Sequence, residues 1–352
     1  MTDSRLRWGI LGAANIARKN WRGIQLSGNG RVVAVASRDL ARARQFIADN
    51  QAIAPFDPAP RALDSYEELL AAKDIDAIYL PLPTGLRKEW VLRAAAAGKH
   101  IVSEKPCAVG VADLREILDA CRRHGVQYMD GVMFMHSRRL ARLREVLDDG
   151  VSVGELRRVT STFSFRAPDN FFTADIRSHS TLEPLGCLGD LGWYCVRLSL
   201  WAAGWRLPRE VTGRVLTQRG RQDSPTSVPI EFSGELLFDG GLSAGFYCSF
   251  VAELHQWAHL DGTRGNLRID DFVVPRTGEE IEFHLNERRV AVPERGAAHA
   301  TAQETNLFRN FADQVGTGSL NAAWPDWALK TQQVTNACLA SARAGSRAVA
   351  VE

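Results

Sequence analysis

The chain has 352 residues with 43 basic and 41 acidic side chains, a formal net charge of +2 and an apolar fraction of 45 %. These values are close to the average for soluble globular proteins and exclude a disordered chain. The balanced charge argues against nucleic acid or an anionic membrane as partner, and no apolar run reaches the ~18 residues that span a bilayer. We therefore expect a small-molecule partner and, from the length, two domains.

The cysteines predict a reducing compartment. All six are scattered along the chain without a C-x-x-C pair, mostly inside apolar runs. This usage is typical of buried thiols in cytoplasmic proteins and argues against disulfides. We therefore expect a cytoplasmic protein.

Up to residue 130 short β-branched runs alternate with longer amphipathic runs, a pattern typical of βαβ units and a parallel sheet. The predicted strands are 6–11, 31–37, 77–81, 100–103 and 126–129. The predicted helices are 16–26, 39–49, 65–72, 88–97 and 111–124. The pattern predicts a doubly wound Rossmann domain over residues 1–130.

From residue 131 the apolar positions alternate with period two, which predicts half-exposed strands. These strands are 157–165, 231–238, 241–250 and 266–274, and the predicted helices are 138–147, 306–315 and 326–344. Asp239-Gly240 lies between two predicted strands and is a strong hairpin signal. We predict a second α/β domain over 131–352, with a mostly antiparallel open sheet and a C-terminal helix. The arginines of its first helix are interpreted as a solvated face: Arg138, Arg139, Arg142 and Arg144.

The segment Gly12-Ala13-Ala14-Asn15-Ile16-Ala17 follows the first predicted strand and opens the first predicted helix. A G-x-G-x-x-G/A turn at this place brings helix N-terminal amides around a pyrophosphate. Gly12 and Ala17 fit that pattern, whereas Ala14 replaces its middle glycine. A turn of small residues without a ligand is the alternative, but the position after the first strand favours a dinucleotide site.

The second predicted strand ends in Ser37-Arg38, where an NAD-binding domain has an acidic residue for the ribose. A hydroxyl and a guanidinium bind a 2′-phosphate well, so the pair predicts NADP, with NAD as the alternative. Otherwise Arg38 is a surface residue before a helix capped by Asp39.

Candidate catalytic residues occur in two segments. Lys105 lies in Glu104-Lys105-Pro106 after strand 100–103, and a residue before proline is disfavoured in a helix, so Lys105 should extend from the carboxyl end of the sheet. Asp190 and Tyr194 are four residues apart and share one helix face. A phenol with a nearby ammonium group can act as acid and base in hydride-transfer chemistry. The alternatives are a solvated lysine, a helix-capping aspartate and a core tyrosine.

The order of these motifs resembles the Gfo/Idh/MocA oxidoreductases over essentially the whole chain. The resemblance rests on Trp8-Gly9-Ile10-Leu11-Gly12, Pro81-Leu82-Pro83-Thr84, Glu104-Lys105-Pro106 and the Gly-x-x-x-Asp-x-Gly-x-Tyr run from Gly186 to Tyr194. Because position 194 is a tyrosine, the chain looks most similar to the branch of this family that contains dimeric dihydrodiol dehydrogenases and D-xylose dehydrogenases. The resemblance implies that Lys105 and Tyr194 are catalytic and that Asp190 lies beside the substrate.

The resemblance also implies further binding residues. Pro81, Leu82, Pro83, Glu104 and Lys105 are expected to bind the cofactor. His136 and Arg177 are expected at the substrate, although His136 equally fits a structural histidine. Arg87 departs from the family, because many members have a histidine there, near the nicotinamide ribose. His255 and His259 lack a third ligand nearby, so no metal site is expected.

The sequence thus predicts an NAD(P)-dependent oxidoreductase of a sugar, sugar derivative or cyclic polyol, with the reaction in the cleft between the domains. A homodimer or higher oligomer is expected through the second domain's sheet, because few helices are available to cover both faces. Two alternatives stay open: a dehydrogenase of non-sugar dihydrodiols, and a non-catalytic NAD(P)-binding regulator. Retention of Lys105, Asp190 and Tyr194 together argues against the regulator.

Overall fold

The computed structural model describes residues 4–275, 280–294 and 302–351. Its described residues form two compact units, the first drawn from 1–107, 112–137 and 298–326, the second from 108–111, 138–297 and 327–352. This division differs from the sequence-based domain limits, 1–130 and 131–352, at residues 108–111, at residues 131–137 and at the segment that includes 302–326.

The first unit contains a parallel sheet of six strands in the order β3-β2-β1-β4-β5-β6. The strands are β1 (Leu6–Leu11), β2 (Gly30–Ala36), β3 (Arg61–Leu63), β4 (Ala77–Leu80), β5 (His100–Ser103) and β6 (Tyr128–Asp130). The intervening helices are α1 (Asn15–Ser27), α2 (Leu40–Gln51), α3 (Tyr66–Ala71), α4 (Thr84–Ala96) and α5 (Val111–Arg123). The strand order reverses between β1 and β4, the position where doubly wound folds bind ligands. The predicted fold class is confirmed for this unit.

Local signals define several of these elements. The Asp39 carboxylate accepts a hydrogen bond from the Ala41 amide at 2.9 Å and caps α2, and the Ser65 hydroxyl accepts one from the Glu68 amide at 3.2 Å and caps α3. The bounds of β1 and β5 coincide with the predicted ones. The short β3 was not predicted, because its three residues are too few to show a period.

A helix from late in the sequence, α9 (Ala302–Gly316), completes the first unit. Its Phe308 and Phe311 rings lie 5.2 and 5.3 Å from the Trp8 ring of β1. Lys19 of α1 forms an ion pair of 2.6 Å with Glu304. The apolar face of α9 therefore covers part of the parallel sheet.

The second unit contains a nine-stranded sheet in the order β14-β13-β12-β11-β7-β10-β9-β8-β15. The strands are β7 (Leu156–Ser164), β8 (Glu210–Arg219), β9 (Val228–Leu237), β10 (Ser243–Ser249), β11 (Ala258–Gly262), β12 (Asn266–Ile269), β13 (Glu280–Leu285), β14 (Arg288–Pro293) and β15 (Val349–Ala350). Among the described pairs only β7 and β10 are parallel, so the predicted, mostly antiparallel sheet is confirmed. The helices are α6 (Arg138–Asp148), α7 (Phe171–Ala174), α8 (Trp193–Ala202) and α10 (Ala323–Arg343), whose first residues, 323–326, fall in the first unit.

Two predictions for this unit need correction. Arg139 does not belong to a solvated face: it is 3 % exposed, forms an ion pair with Asp271 and donates to the Asp271 carbonyl at 2.8 Å. The reason is that α6 packs against β13 and β14, which the sequence did not predict. The strand expected over 266–274 ends at Ile269. The turn at Gly240 and Gly241, both with φ of +81°, lies where the hairpin was expected.

None of the described helices combines the length and the apolar character that crossing a bilayer requires.

Candidate active site

The turn between β1 and α1 has the features of a phosphate-binding loop. Gly12 has φ of +119°, which favours glycine, and a Cβ there would lie 3.2 Å from Leu82 Cδ2. Ala14 precedes α1 in an extended conformation and gives it no side-chain cap, and the first turn has no acidic residue. The helix therefore presents its N-terminal amides and positive dipole end to an anion, and these residues fit a pyrophosphate.

Basic side chains follow the carboxyl end of β2 in the sequence. Ser37 is buried and Arg38 is exposed, while the Arg42 Nη2 donates to the Ala13 carbonyl at 3.2 Å. Burial raises the pKa of Tyr66, and the charges of Arg38 and Arg42 act in the opposite direction. Both guanidinium groups therefore lie near Tyr66. The sequence analysis did not identify Arg42 and Tyr66 as candidate cofactor-binding residues. The signal for Arg42 was a second arginine in the first turn of α2.

The carboxyl end of β5 is tied to its neighbours through Glu104. The Glu104 Oε1 accepts a hydrogen bond from the Tyr79 hydroxyl at 2.7 Å and one from the Asn20 Nδ2 at 3.2 Å. Burial, followed by the charge of Glu104, raises the pKa of Tyr79 well above its ordinary value. The Glu104 carboxylate thus connects α1, β4 and β5 immediately before Lys105.

Arg87 connects the loop after β4 with the loop after β5. It is 3 % exposed and donates from Nε to the Leu82 carbonyl at 2.7 Å. Its Nη1 donates to the Thr84 hydroxyl at 3.0 Å and to the Pro106 carbonyl. The two loops that contain Pro81–Pro83 and Glu104–Pro106 are therefore joined by one guanidinium group.

In the second unit, Asp190 and Tyr194 lie on consecutive turns. A π-helical turn, Leu188–Gly192, leads directly into α8, so Asp190 is inside the helical segment rather than at its N-cap. Tyr194 is 7 % exposed, and its ring contacts that of Phe163 edge to face at 5.5 Å. A Cβ at Gly186 would lie 2.1 Å from the Pro229 carbonyl oxygen, so the turn before this helix requires glycine.

Arg177 joins this group through its guanidinium. Its Nε lies 3.1 Å from Asp190 Oδ2, and its Nη1 lies 3.6 Å from Asp175 Oδ2. The charge of Asp190 raises the pKa of Arg177 against the effect of burial, and Asp175, Glu183 and Tyr194 act in the same direction as Asp190. The structure thus brings Arg177, Asp190 and Tyr194 together within the second unit.

The other predicted residues belong to the first unit. Lys105 and the predicted cofactor-binding residues lie there, as does His136, whose Nδ1 is 3.1 Å from Asn310 Nδ2 and whose ring contacts Trp324 at 6.0 Å. These contacts agree with a structural histidine, and a substrate role for His136 stays a prediction. In the described part of the chain no group of three or more histidine, cysteine or acidic residues is arranged to hold a metal ion.

A doubly wound parallel sheet with an anion-binding helix terminus at its switch point defines a nucleotide-binding Rossmann domain. Residues 6–132 match the oxidoreductase family with an NAD-binding Rossmann fold known as GFO/IDH/MocA, and residues 140–268 match the GFO/IDH/MocA C-terminal domain. The chain belongs to the Gfo/Idh/MocA family and is an oxidoreductase with an NAD(P)-binding domain, as the sequence predicted.

Individual relatives cover most of the chain. D-xylose 1-dehydrogenase (NADP(+)) 2 of Haloferax volcanii is 30 % identical over 97 % of this chain and 98 % of its own length. Trans-1,2-dihydrobenzene-1,2-diol dehydrogenase of Mus musculus is 32 % identical over 79 % of this chain and 80 % of its own. The crystal structure of KijD10, a 3-ketoreductase from Actinomadura kijaniata in complex with NADP and TDP-benzene, has a TM-score of 0.81 at 24 % identity and covers 97 % of this chain and 98 % of its own.

Proposed function

We propose that this protein is an NADP(H)-preferring oxidoreductase that interconverts a CH–OH group and a keto group of a neutral sugar, sugar derivative or cyclic polyol. The family supports sugar-related oxidoreduction. The named D-xylose dehydrogenase supports both the substrate class and NADP. Ser37 and Arg38 at the end of β2 support the 2′-phosphate, because they replace the acid that binds an NAD ribose.

We assign the proton transfer to Tyr194. The bound nicotinamide supplies or accepts the hydride. During oxidation the Tyr194 phenolate oxygen takes the hydroxyl proton, and during reduction the Tyr194 hydroxyl returns a proton to the carbonyl oxygen. A phenol with an ordinary pKa of about 10 is a weak base at neutral pH, so a positive charge is needed to favour the phenolate. Lys105 supplies that charge and also stabilises the developing alkoxide.

The ion pair between Arg177 and Asp190, one turn before Tyr194, is the observation that carries the proposed substrate class. A single guanidinium stands between two carboxylates, Asp175 and Asp190. This arrangement offers donors and acceptors to hydroxyl groups but no excess positive charge for a phosphate or carboxylate. The rings of Phe163 and Phe171, close to Tyr194 and Arg177, suit the apolar C–H faces of a sugar ring.

A dehydrogenase of non-sugar dihydrodiols is the second candidate, and its support is the named mouse relative. A hydrocarbon diol has only two hydroxyl groups to satisfy, so Arg177, Asp175 and Asp190 together favour a substrate with more. A regulator without catalysis has no need of Tyr194 and Lys105.

A substrate panel tests the proposal through NADPH absorbance. We expect turnover with at least one of D-xylose, D-glucose, levoglucosan and myo-inositol, and weaker turnover with trans-1,2-dihydrobenzene-1,2-diol. Tyr194→Phe should lower kcat about 10²–10⁴-fold and leave NADPH binding intact, because it removes only the acid and base. Tyr247→Phe is the matched control, since Tyr247 lies on β10 and donates to Glu231. Wild-type turnover by Tyr194→Phe would refute the catalytic assignment.

We further propose a cytoplasmic homodimer or higher homo-oligomer. The cysteines support the compartment, because all six are buried free thiols. The oligomer is proposed from the open sheet of the second unit and is tested by solution mass below.

A further inference from the structure

The segment with Lys105 is held by hydrogen bonds on both sides of that residue. On one side, the Glu104 carboxylate accepts from Tyr79 and Asn20. On the other side, the Pro106 carbonyl accepts from Arg87. The direction in which Lys105 leaves the sheet therefore depends on two neighbouring residues that are bound to the rest of the first unit.

The Arg87 guanidinium can hold the backbone of the Lys105 segment against the loop after β4. It reaches three oxygen acceptors, the carbonyls of Leu82 and Pro106 and the hydroxyl of Thr84. A planar guanidinium has five N–H donors in fixed directions, so it can hold two loops at a defined separation. A neutral imidazole has one N–H donor and one acceptor nitrogen, and a lysine has no planar fork. Neither side chain can reproduce all three bonds at this buried position.

We propose that Arg87 is a positioning residue for Lys105. This inference rests on the proposed function, because it assumes that Lys105 acts in catalysis. Arg87 fixes the Pro106 carbonyl against the loop after β4, and thereby fixes the backbone from which the Lys105 ammonium group extends. A displacement of about 1 Å at a catalytic group is enough to cost about 10²-fold in rate.

A double-mutant cycle tests the inference with Arg87→Met, Lys105→Met and the double variant, assayed on the best sugar of the panel. Arg87→Met should lower kcat about 10–100-fold in the wild-type background, but less than about threefold when Lys105 is already methionine, because residues that act through one another are not additive. Because oxidation of these sugars requires the Tyr194 phenolate, kcat should rise with pH, and this rise should move to higher pH in Arg87→Met, since a displaced ammonium stabilises the phenolate less.

Lys99→Met is the matched control. Lys99 is also a buried cation of the first unit that donates to two backbone carbonyls, Ala72 at 2.7 Å and Ile75 at 2.8 Å. The Lys99→Met variant should be less stable than the wild type but should keep the same pH profile of kcat. If Arg87→Met does not fold, Arg87→Lys enters the same cycle, with a smaller loss of kcat and the same lack of additivity expected.

Equal losses of kcat from the Arg87 substitution in both backgrounds, or an unchanged pH profile, would overturn the positioning role. A loss confined to NADPH affinity would do the same, because it would make Arg87 a cofactor contact only. Wild-type kcat in Lys105→Met would instead refute the proposed function itself. The two failures are therefore distinguishable.

Discussion

Arg38, just before α2, and Arg42, in its first turn, are the residues on which the proposed preference for NADP depends. Asp39 lies between them in sequence, but its carboxylate accepts hydrogen bonds from the Ala41 and Arg42 amides and caps the helix. The charges of Arg38 and Arg42 both act on Tyr66, while Asp39 is engaged by the helix backbone. We infer from this arrangement the proposed preference for the 2′-phosphate of NADP over the free ribose hydroxyl of NAD.

We predict that NADPH binds more tightly than NADH, and that Arg38→Ala and Arg42→Ala each reduce this preference. A charged hydrogen bond contributes about 1.5–3 kcal/mol, which corresponds to roughly 10–150-fold in Kd for NADPH and little change for NADH. Fluorescence titration of both cofactors provides the measurement. Arg44→Ala removes an exposed arginine from the same helix and serves as the control. Tighter binding of NADH by the wild type would contradict the prediction.

At the scale of elements, α9 contributes a buried carboxylate to the first unit. Glu304 is 5 % exposed, and burial raises its pKa, opposed by the charge and hydrogen bond of Lys19 and assisted by the charge of Glu104. A carboxyl group whose pKa is higher in the folded state than in the unfolded state binds its proton more tightly on folding. The resulting stability is present below the unfolded pKa of about 4.3 and is lost as the pH rises through the folded value.

We predict that Glu304→Gln gains stability relative to the wild type as the pH is raised from about 4.5 to about 7.5, by about 1.4 kcal/mol for each pKa unit of elevation. Lys19 is 32 % exposed and can be solvated once the carboxylate is gone. Denaturant unfolding at both pH values measures the difference, and Glu116→Gln, which breaks the exposed pair with Lys88, is the control. A variant that becomes relatively less stable at the higher pH would show that the ion pair outweighs desolvation.

The elements also show what local sequence can predict. The strands β1 and β5 were predicted with their bounds, because short runs rich in apolar residues end at a recognisable turn, Gly12 after β1 and Glu104-Lys105-Pro106 after β5. The strands β13 and β14 were missed although the six residues of β13 alternate polar and apolar side chains, because each strand is short; the two strands pair with each other in the sheet. The helix with Asp190 and Tyr194 follows from local spacing. The bonds from Arg177 to Asp190 and from Arg87 to Pro106 join separate segments, and no local period indicates them.

At the scale of the whole molecule, one face of the second unit's sheet presents a polar surface. A cavity of about 420 Å³ is lined by residues of β7, β8, β9 and β10, and Ser233 lies between Arg214 and Tyr247 in the sheet register. Part of its charge is already paired, as in Arg158 with Glu235. An antiparallel sheet tolerates water on one face, so this surface can be exposed in a monomer or covered by a second copy.

We predict that a second copy covers this face, so light scattering at micromolar concentration should give at least twice the chain mass of 38.8 kDa. Ser233→Arg should shift the mass toward the monomer, because a long charged side chain in the middle of a packed face costs desolvation and space. Ser319→Arg places the same side chain at an exposed position of the first unit and should leave the mass unchanged. Far-UV circular dichroism should be the same for both variants. A wild-type monomer, or an oligomer that Ser233→Arg leaves intact, would show that this sheet face is solvated and that any association uses another surface.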